Sequence, residues 1–238
     1  MLSLIIPCFN EEKNLNKLLE KLNSIIHTYP QDKIEIIIVE NGSTDDSFKI
    51  LTSSNLYLQK KINIVKIEKN IGYGDGIMQG IKLSKGDLIA WCHADLQTDP
   101  QDVIKIFKLS EKKLNEEDCI AKGRRINRNF IDIFFTTGMS ILTLIMFNLR
   151  LNDINAQPKI FNKKFIKFLS NAPKDFSFDI FLLLKAKKNN FKIYEYPVVW
   201  HKRFAGEAKG GGSLKLKIKL TIRTISFMIN LRKNFKWN

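Results

Sequence analysis

Cysteine is scarce in this chain: Cys8, Cys92 and Cys119 are the only three, far apart and without a C-x-x-C spacing. Neither a disulfide framework nor a zinc cluster is indicated, and Cys8 and Cys92 read as small core residues beside strands. Acidic residues are also in deficit, 24 Asp and Glu against 39 Lys and Arg, for a formal net charge of +15. That balance calls for an anionic partner: nucleic acid, an anionic membrane surface or phosphorylated small molecules. No recognisable nucleic-acid module is present and the positive charge rises toward the C-terminus, so membrane and phosphate are favoured. A Walker A sequence is missing, which argues against a P-loop ATPase. The N-terminus runs directly into a strand-like segment with no basic leader, apolar core and cleavage site, so the expectation is a cytoplasmic protein.

What is present fits an ordered globular chain. At 238 residues, 44% hydrophobic and 26% charged, it is long enough for one large α/β domain in two halves. Residues 2–7 and 34–39 are apolar runs of buried-strand type, and residues 62–67 and 87–92 continue the series. Between them lie helical stretches. Leu15, Leu18, Leu19, Leu22, Ile25 and Ile26 recur at helical spacing after Asn10, a good N-cap residue. A further helix carrying Ile77, Met78, Ile81 and Leu83 opens from Gly72, Gly74 and Gly76, glycines that allow a backbone to approach a ligand. The alternation predicts a mostly parallel sheet with polar loops converging on one edge. A dinucleotide-binding fold is disfavoured, because Gly72-x-Gly74-x-Gly76 is not G-x-G-x-x-G and follows the third strand rather than the first.

The stretch 91–100, Trp-Cys-His-Ala-Asp-Leu-Gln-Thr-Asp-Pro, ends the fourth strand, where open α/β sheets bind ligands. On an extended segment the i, i+2, i+4 spacing turns His93, Asp95 and Gln97 to one side. A hard cation, Mg²⁺ or Mn²⁺, could take two of these while binding a substrate diphosphate. A plain polar turn closed by Pro100 is the alternative.

Four segments together carry a resemblance: residues 4–11 (Leu-Ile-Ile-Pro-Cys-Phe-Asn-Glu), 38–45 (Ile-Val-Glu-Asn-Gly-Ser-Thr-Asp), 70–74 (Asn-Ile-Gly-Tyr-Gly) and 93–97 (His-Ala-Asp-Leu-Gln). In this order over about a hundred residues, they resemble the successive motifs of family 2 glycosyltransferases, and within them the dolichol-phosphate mannosyltransferase-like branch. The resemblance implies a Rossmann-like GT-A fold, a nucleotide-diphosphate sugar donor and a divalent metal. Carried over by position, Pro7, Asn10 and Glu11 hold the nucleoside, with Gly42, Ser43, Asn70 and Gly72 in the neighbouring loops. Glu40 replaces the first aspartate of the family's Asp-Asp-Gly-Ser turn and reaches toward base or ribose. Asp95 and Gln97 match the metal-binding carboxylate and amide. His93 departs from the pattern, standing where an aspartate is usual; it is either a metal ligand or a hydrogen-bonding partner of the donor phosphate.

The second half is read as follows. Residues 99–114 form a helix opened by Pro100, and residues 119–125 a strand with a cationic tip, where Arg125 falls on the arginine of the family's Gly-Ser-Arg segment. An arginine fork suits a phosphate; a solvated charge run is the alternative. Residues 130–151 are the most apolar stretch, with an uncharged core shorter than the roughly 20 residues a spanning helix needs. They read as one or two helices lying on a membrane or covering the acceptor groove, or as a buried helix. The segment 153–161 resembles the branch's Asp-x-x-x-Gly-Phe-Arg-x-Tyr, with the glycine not retained and Lys159 in place of the arginine. Asp179 stands where many family 2 enzymes carry an acidic general base. A strand over 193–200 leads to a loop resembling the branch's Arg-x-x-Gly-x-Ser-Lys, with Arg203, Gly206 and Lys209 retained, a flap over diphosphate and acceptor phosphate. Residues 214–237 suit a basic amphipathic segment at an anionic membrane surface.

The expected organisation is a nucleotide-sugar-binding half (1–125), an acceptor-binding half (126–213) and a basic C-terminal segment (214–238). The expected function is metal-dependent, inverting transfer of a sugar from a nucleotide-diphosphate sugar to a polyprenyl phosphate at the cytoplasmic membrane face, by a peripherally bound protein. Asp95, Arg125, Arg203 and Lys209 would serve the reacting groups, and Asp179 only an acceptor that must lose a proton. Transfer to a saccharide hydroxyl is the rival within the same class, and a non-catalytic nucleotide-sugar-binding module the rival outside it.

Overall fold

The computed structural model describes residues 1–29, 32–206 and 213–234. In chain order the elements are β1 (Leu2–Cys8), α1 (Glu12–Thr28), β2 (Ile34–Asn41), α2 (Ser47–Thr52), the single turn α3 (Asn55–Leu58), β3 (Asn63–Ile67), α4 (Tyr73–Leu83), β4 (Leu88–Trp91), α5 (Gln101–Glu116) and β5 (Cys119–Ile126). There follow α6 (Phe130–Phe147), β6 (Lys159–Asn162), a 3₁₀ segment (Lys163–Leu169), α7 (Phe178–Lys188), β7 (Lys192–Val199) and α8 (Leu214–Asn234).

The strands form one seven-stranded sheet in the order β3-β2-β1-β4-β6-β5-β7. Every neighbouring pair is parallel except those made by β6, which runs against both β4 and β5. The other strands therefore end on one edge, and their loops meet there. The central strands are apolar throughout because both faces are covered. On one face Leu4, Ile6, Ile36, Ile38 and Ala90 pack with Leu15, Leu18 and Leu22 of α1 and Val103 and Ile106 of α5. On the other, Ile5, Ile37, Val39, Ile89 and Trp91 pack with Ile77 and Ile81 of α4 and the apolar residues of α7. Alternation along each strand sends neighbours to opposite faces. Fully burying each such side chain contributes about 1.5–3 kcal/mol.

β6 was not foreseen as a strand. It has four residues and begins with a lysine, so it carries neither the length nor the pattern of a buried strand. Its register sets Lys159 beside Trp91 of β4 and Lys122 of β5. Both lysines are fully buried.

Candidate active site

Two loops build the first wall. Asn10 does not cap α1, as expected; Glu11 is the N-cap residue, and Asn10 adopts a left-handed conformation at φ 54°. From there its Oδ1 accepts from Thr44 N at 2.8 Å while its own N donates to Ser43 Oγ at 3.0 Å. Glu11 N donates to Ser47 Oγ at 3.0 Å and Glu12 N to Asp45 Oδ2 at 3.2 Å, which staples the β1 loop to the β2 loop. Glu40, almost fully buried, accepts from Ser43 N at 2.6 Å and so holds its own turn. Pro7 is paired with Val39 in the sheet below. A cavity of about 310 Å³ opens here, lined by Asn10, Glu11, Asn14, Asp45 and Gly206.

Glycines of these loops serve close approaches within the chain. A Cβ on Gly42 (φ +70°) would stand 2.6 Å from Asn70 N, and one on Gly72 (φ +152°) 2.3 Å from Lys174 O. Gly42 thus lets the β2 and β3 loops touch, and Gly72 seats α4 against the loop before α7.

The Asp95 turn is not extended. β4 ends at Trp91, and Leu96 sits at φ 60°, a strained conformation for a bulky residue that costs on the order of 1–3 kcal/mol. The extended backbone on which the expected alternation rested therefore stops at Trp91. Asp95 Oδ1 accepts from Gln97 N at 3.1 Å, and Asp95 Oδ2 from Arg203 Nη1 at 3.3 Å. Arg203 Nη2 also donates to Glu11 Oε1, so one guanidinium lies between two carboxylates. Burial raises the Glu11 carboxyl above its ordinary range, with Arg203 pulling it back. Arg203 Nε and Asn14 Nδ2 both donate to Ala205 O, at 2.9 and 3.2 Å, and Lys17 lies 4.2 Å over the Phe204 ring. The segment after β7 is thereby seated on α1. Lys209 lies outside the described residues.

Among the described residues no three His, Cys, Asp or Glu side chains cluster as a self-sufficient metal site. The donor set instead suits a hard cation held partly by substrate: Asp95 supplies a carboxylate, Gln97 an amide, and Glu11 beside Asp95 a negative field that a guanidinium already answers. His93 has one ring nitrogen engaged by the chain itself. Its Nε2 meets Tyr73 Oη at 3.1 Å, and burial lowers its basicity below the ordinary histidine value against the pull of Asp95 and Asp179.

Below Tyr73 lies Asp179, only 2% exposed. Its Oδ1 accepts from Lys159 Nζ at 2.5 Å and from Gln157 Nε2 at 3.1 Å. Burial depresses Lys159 from 10.5 to about 8, with Asp179 opposing the shift. The carboxylate is thus already engaged by a buried cation and an amide.

The family model "Glycosyl transferase family 2" matches residues 3–179. The chain belongs to this family. Among its relatives, the dodecaprenyl-phosphate galacturonate synthase of Rhizobium johnstonii is 27% identical over 236 residues, covering 97% of this chain and 68% of that protein. The dolichyl-phosphate beta-glucosyltransferase ALG5D of Trichomonas vaginalis is 27% identical over 247 residues, covering 96% and 74%. Glucosyl-3-phosphoglycerate synthase from Mycobacterium tuberculosis, solved with Mn²⁺, UDP and phosphoglyceric acid, superposes with a TM-score of 0.72 at 15% identity, covering 98% of this chain and 78% of that one. The expected GT-A fold is the fold found.

In this family 2 glycosyltransferase Arg125 is neither a free fork nor a solvated charge. Its Nε donates to Asp153 at 3.0 Å, Nη2 donates to the same carboxylate, and the guanidinium lies 4.8 Å from the Trp200 ring. Arg128 shares Asp153 at 3.4 Å, leaving the trio one positive charge in excess. Burial pushes the Asp153 carboxyl up, but the hydrogen bonds and charge of Arg125, with Lys122 adding, hold it below its ordinary value. The apolar stretch is one helix, α6, 18 residues long with mean hydropathy 1.9 and only 11% buried. By length and composition it could cross a membrane, which the expectation from its uncharged core had denied; it is not a core helix. Phe130, Phe134 and Ile145 are well exposed, and α6 packs on α8, where Lys217 pairs with Asp132 at 2.5 Å. Tyr73, Gln157 and Lys159 had been assigned no role. The one signal for Lys159 was a charge next to Ile160-Phe161, and nothing local marked Tyr73 as a hub.

Proposed function

We propose that this glycosyltransferase moves a sugar from a nucleotide-diphosphate sugar to a polyprenyl phosphate at the cytoplasmic face of a membrane, with inversion. The observation that carries the acceptor is the burial of Asp179 in its pair with Lys159 and Gln157. A hydroxyl acceptor must lose a proton and needs a free base; a phosphate is already anionic and needs only positioning. The relatives named for dodecaprenyl and dolichyl phosphate support the same reading.

The donor's nucleoside fits the cavity beside Asn10, Glu11 and Asp45, and its diphosphate reaches the Asp95 turn. Asp95 and Gln97 would hold Mg²⁺ or Mn²⁺, which supplies charge neutralisation of the departing diphosphate. Arg203 is placed to exchange its two carboxylates for phosphate oxygens as donor enters, and Arg125 keeps Nη1 without a hydrogen bond among the described residues for the acceptor. The exposed apolar side of α6 and the lysines and arginines of α8 suit an anionic bilayer carrying the lipid.

Incubation with a panel of nucleotide sugars and short polyprenyl phosphates should yield a glycosylated lipid phosphate by mass spectrometry. Asp179→Asn, combined with Lys159→Met so that no lone buried charge remains, should slow that transfer by about tenfold or less. A loss beyond about 10² in folded protein is the size of a general-base effect and would return the hydroxyl acceptor.

A further inference from the structure

The turn that carries Asp95 offers a cation a single free carboxylate, because position 93 is a histidine and Asp99 pairs with Lys21 at 2.5 Å. A second carboxylate comes from the loop after β1. Glu11, buried at the N-cap of α1, shares one guanidinium with Asp95: Arg203 Nη2 donates to Glu11 Oε1, and Nη1 to Asp95 Oδ2 at 3.3 Å. Both nitrogens belong to one planar fork, so the two oxygens close on the same small space. The other oxygen of each carboxylate is held by the chain. Glu11 Oε2 accepts from Asn14 Nδ2 at 2.5 Å, and Asp95 Oδ1 from Gln97 N at 3.1 Å. Among the described residues neither carboxylate has another ion pair, so two negative charges face one positive charge. Asn14, 1% exposed, lines the cavity of about 310 Å³ with Glu11 and keeps its Oδ1 without a hydrogen bond among the described residues. The place is short of positive partners and rich in hard oxygens, the surroundings that Mg²⁺ or Mn²⁺ takes.

We propose that Glu11 is a ligand of the divalent cation, through Oε1 opposite Asp95 Oδ2, and that the Arg203 guanidinium stands in the cation's seat. Glu11 thereby supplies the second negative charge that a histidine at position 93 does not. Arg203 and the cation exclude one another, and a nucleoside diphosphate, which offers the guanidinium phosphate oxygens instead, lets the cation in. The inference rests on the nucleotide-sugar reading of the Asp95 turn and not on the acceptor.

Mn²⁺ is the probe. Protein made by cell-free synthesis, with ¹³C in the side-chain carboxyl of glutamate alone, reports a bound glutamate by pulsed ENDOR. A ¹³C coupling of the size of a directly bound carboxylate should appear in Arg203→Ala with Mn²⁺ alone, and in wild type with Mn²⁺ and UDP or GDP, whichever binds tighter. Glu11→Gln should abolish it. Its absence, or its survival in Glu11→Gln, would overturn the proposal. Titration calorimetry without nucleotide gives the second test. Arg203→Ala should bind Mn²⁺ about tenfold tighter than wild type, and adding Glu11→Gln should remove that gain, as coupled neighbours require; a gain that persists would overturn the ligand. The nucleoside diphosphate should raise Mn²⁺ affinity about tenfold more in wild type than in Arg203→Ala, and equal increases would overturn the exchange. Asp95→Asn separates two levels of failure. If it weakens Mn²⁺ binding while Glu11→Gln does not, Glu11 is no ligand and the Asp95 site stands; if neither does, the nucleotide-sugar reading of that turn fails as well. None of these readouts involves sugar transfer.

Discussion

The donor side and the acceptor side of this site are held by different forces. On the donor side, after β1 and β2, polar loop residues bond one another and nearby backbone, as Asn10 does with Thr44 and Ser43, and the charges met there are those of Arg203 with Glu11 and Asp95. On the acceptor side, around β5 and β6, full charges are buried: Lys159 with Asp179, Lys122 with Glu195, and Arg125 and Arg128 with Asp153. Lys122 and Lys159 stand abreast in register. Burial lowers the basicity of both, and each is relieved by its own carboxylate. Neutral hydrogen bonds lose little when one is broken, but a charge stranded in a low-dielectric interior is costly. The fully buried Lys122 and Lys159 therefore make the acceptor side the one where single substitutions cost most stability.

The largest effect that can sharpen this contrast is Lys159→Met, which strands Asp179 and should cost about 3–5 kcal/mol in chemical denaturation, mostly recovered by adding Asp179→Asn. A cost within experimental error would remove the distinction. The same lysine gives a pH signature. Its folded value of about 8 lies below its ordinary 10.5, so between these the native state binds fewer protons than the unfolded state. Stability should then rise with pH across that window, and the difference between wild type and Lys159→Met should carry the slope. Next is Asp95→Asn, which should lower kcat by roughly 10²–10³ while leaving the unfolding midpoint in place. A large midpoint drop would move Asp95 to the structural side. The smallest is Arg203→Ala: freeing Asp95 and Glu11 from their guanidinium should tighten Mn²⁺ binding by about tenfold, roughly 1.4 kcal/mol, by titration calorimetry. Weaker binding would mean that Arg203 is not standing in for a cation.

The same contrast governs what could be read in advance. The strands of the donor half, their order of appearance and the positions of their loops follow from apolar runs and turn residues, which act locally. The identities Asp95, Gln97, Glu11 and Arg203 were legible as motif positions. Their partners were not, since Arg203 meets Glu11 across 192 positions of chain. Asn10 was misread as a cap because the loop that captures it, at Ser43 and Thr44, is supplied by another β-α unit. β6 was missed because four residues led by a lysine look like a turn until a sheet closes around them.

By itself the sequence determined a mostly parallel α/β sheet, a basic chain with an apolar α6, and a polar edge centred on Asp95. Periodicity and turn chemistry suffice for those, because each is decided within a few residues. Only the tertiary structure decided what the charged groups do. Burial and long-range register made Asp179 the partner of Lys159, turned His93 toward Tyr73, and set Arg203 between Glu11 and Asp95. A charge's role depends on the dielectric around it and on the nearest opposite charge, and neither exists until the chain has folded.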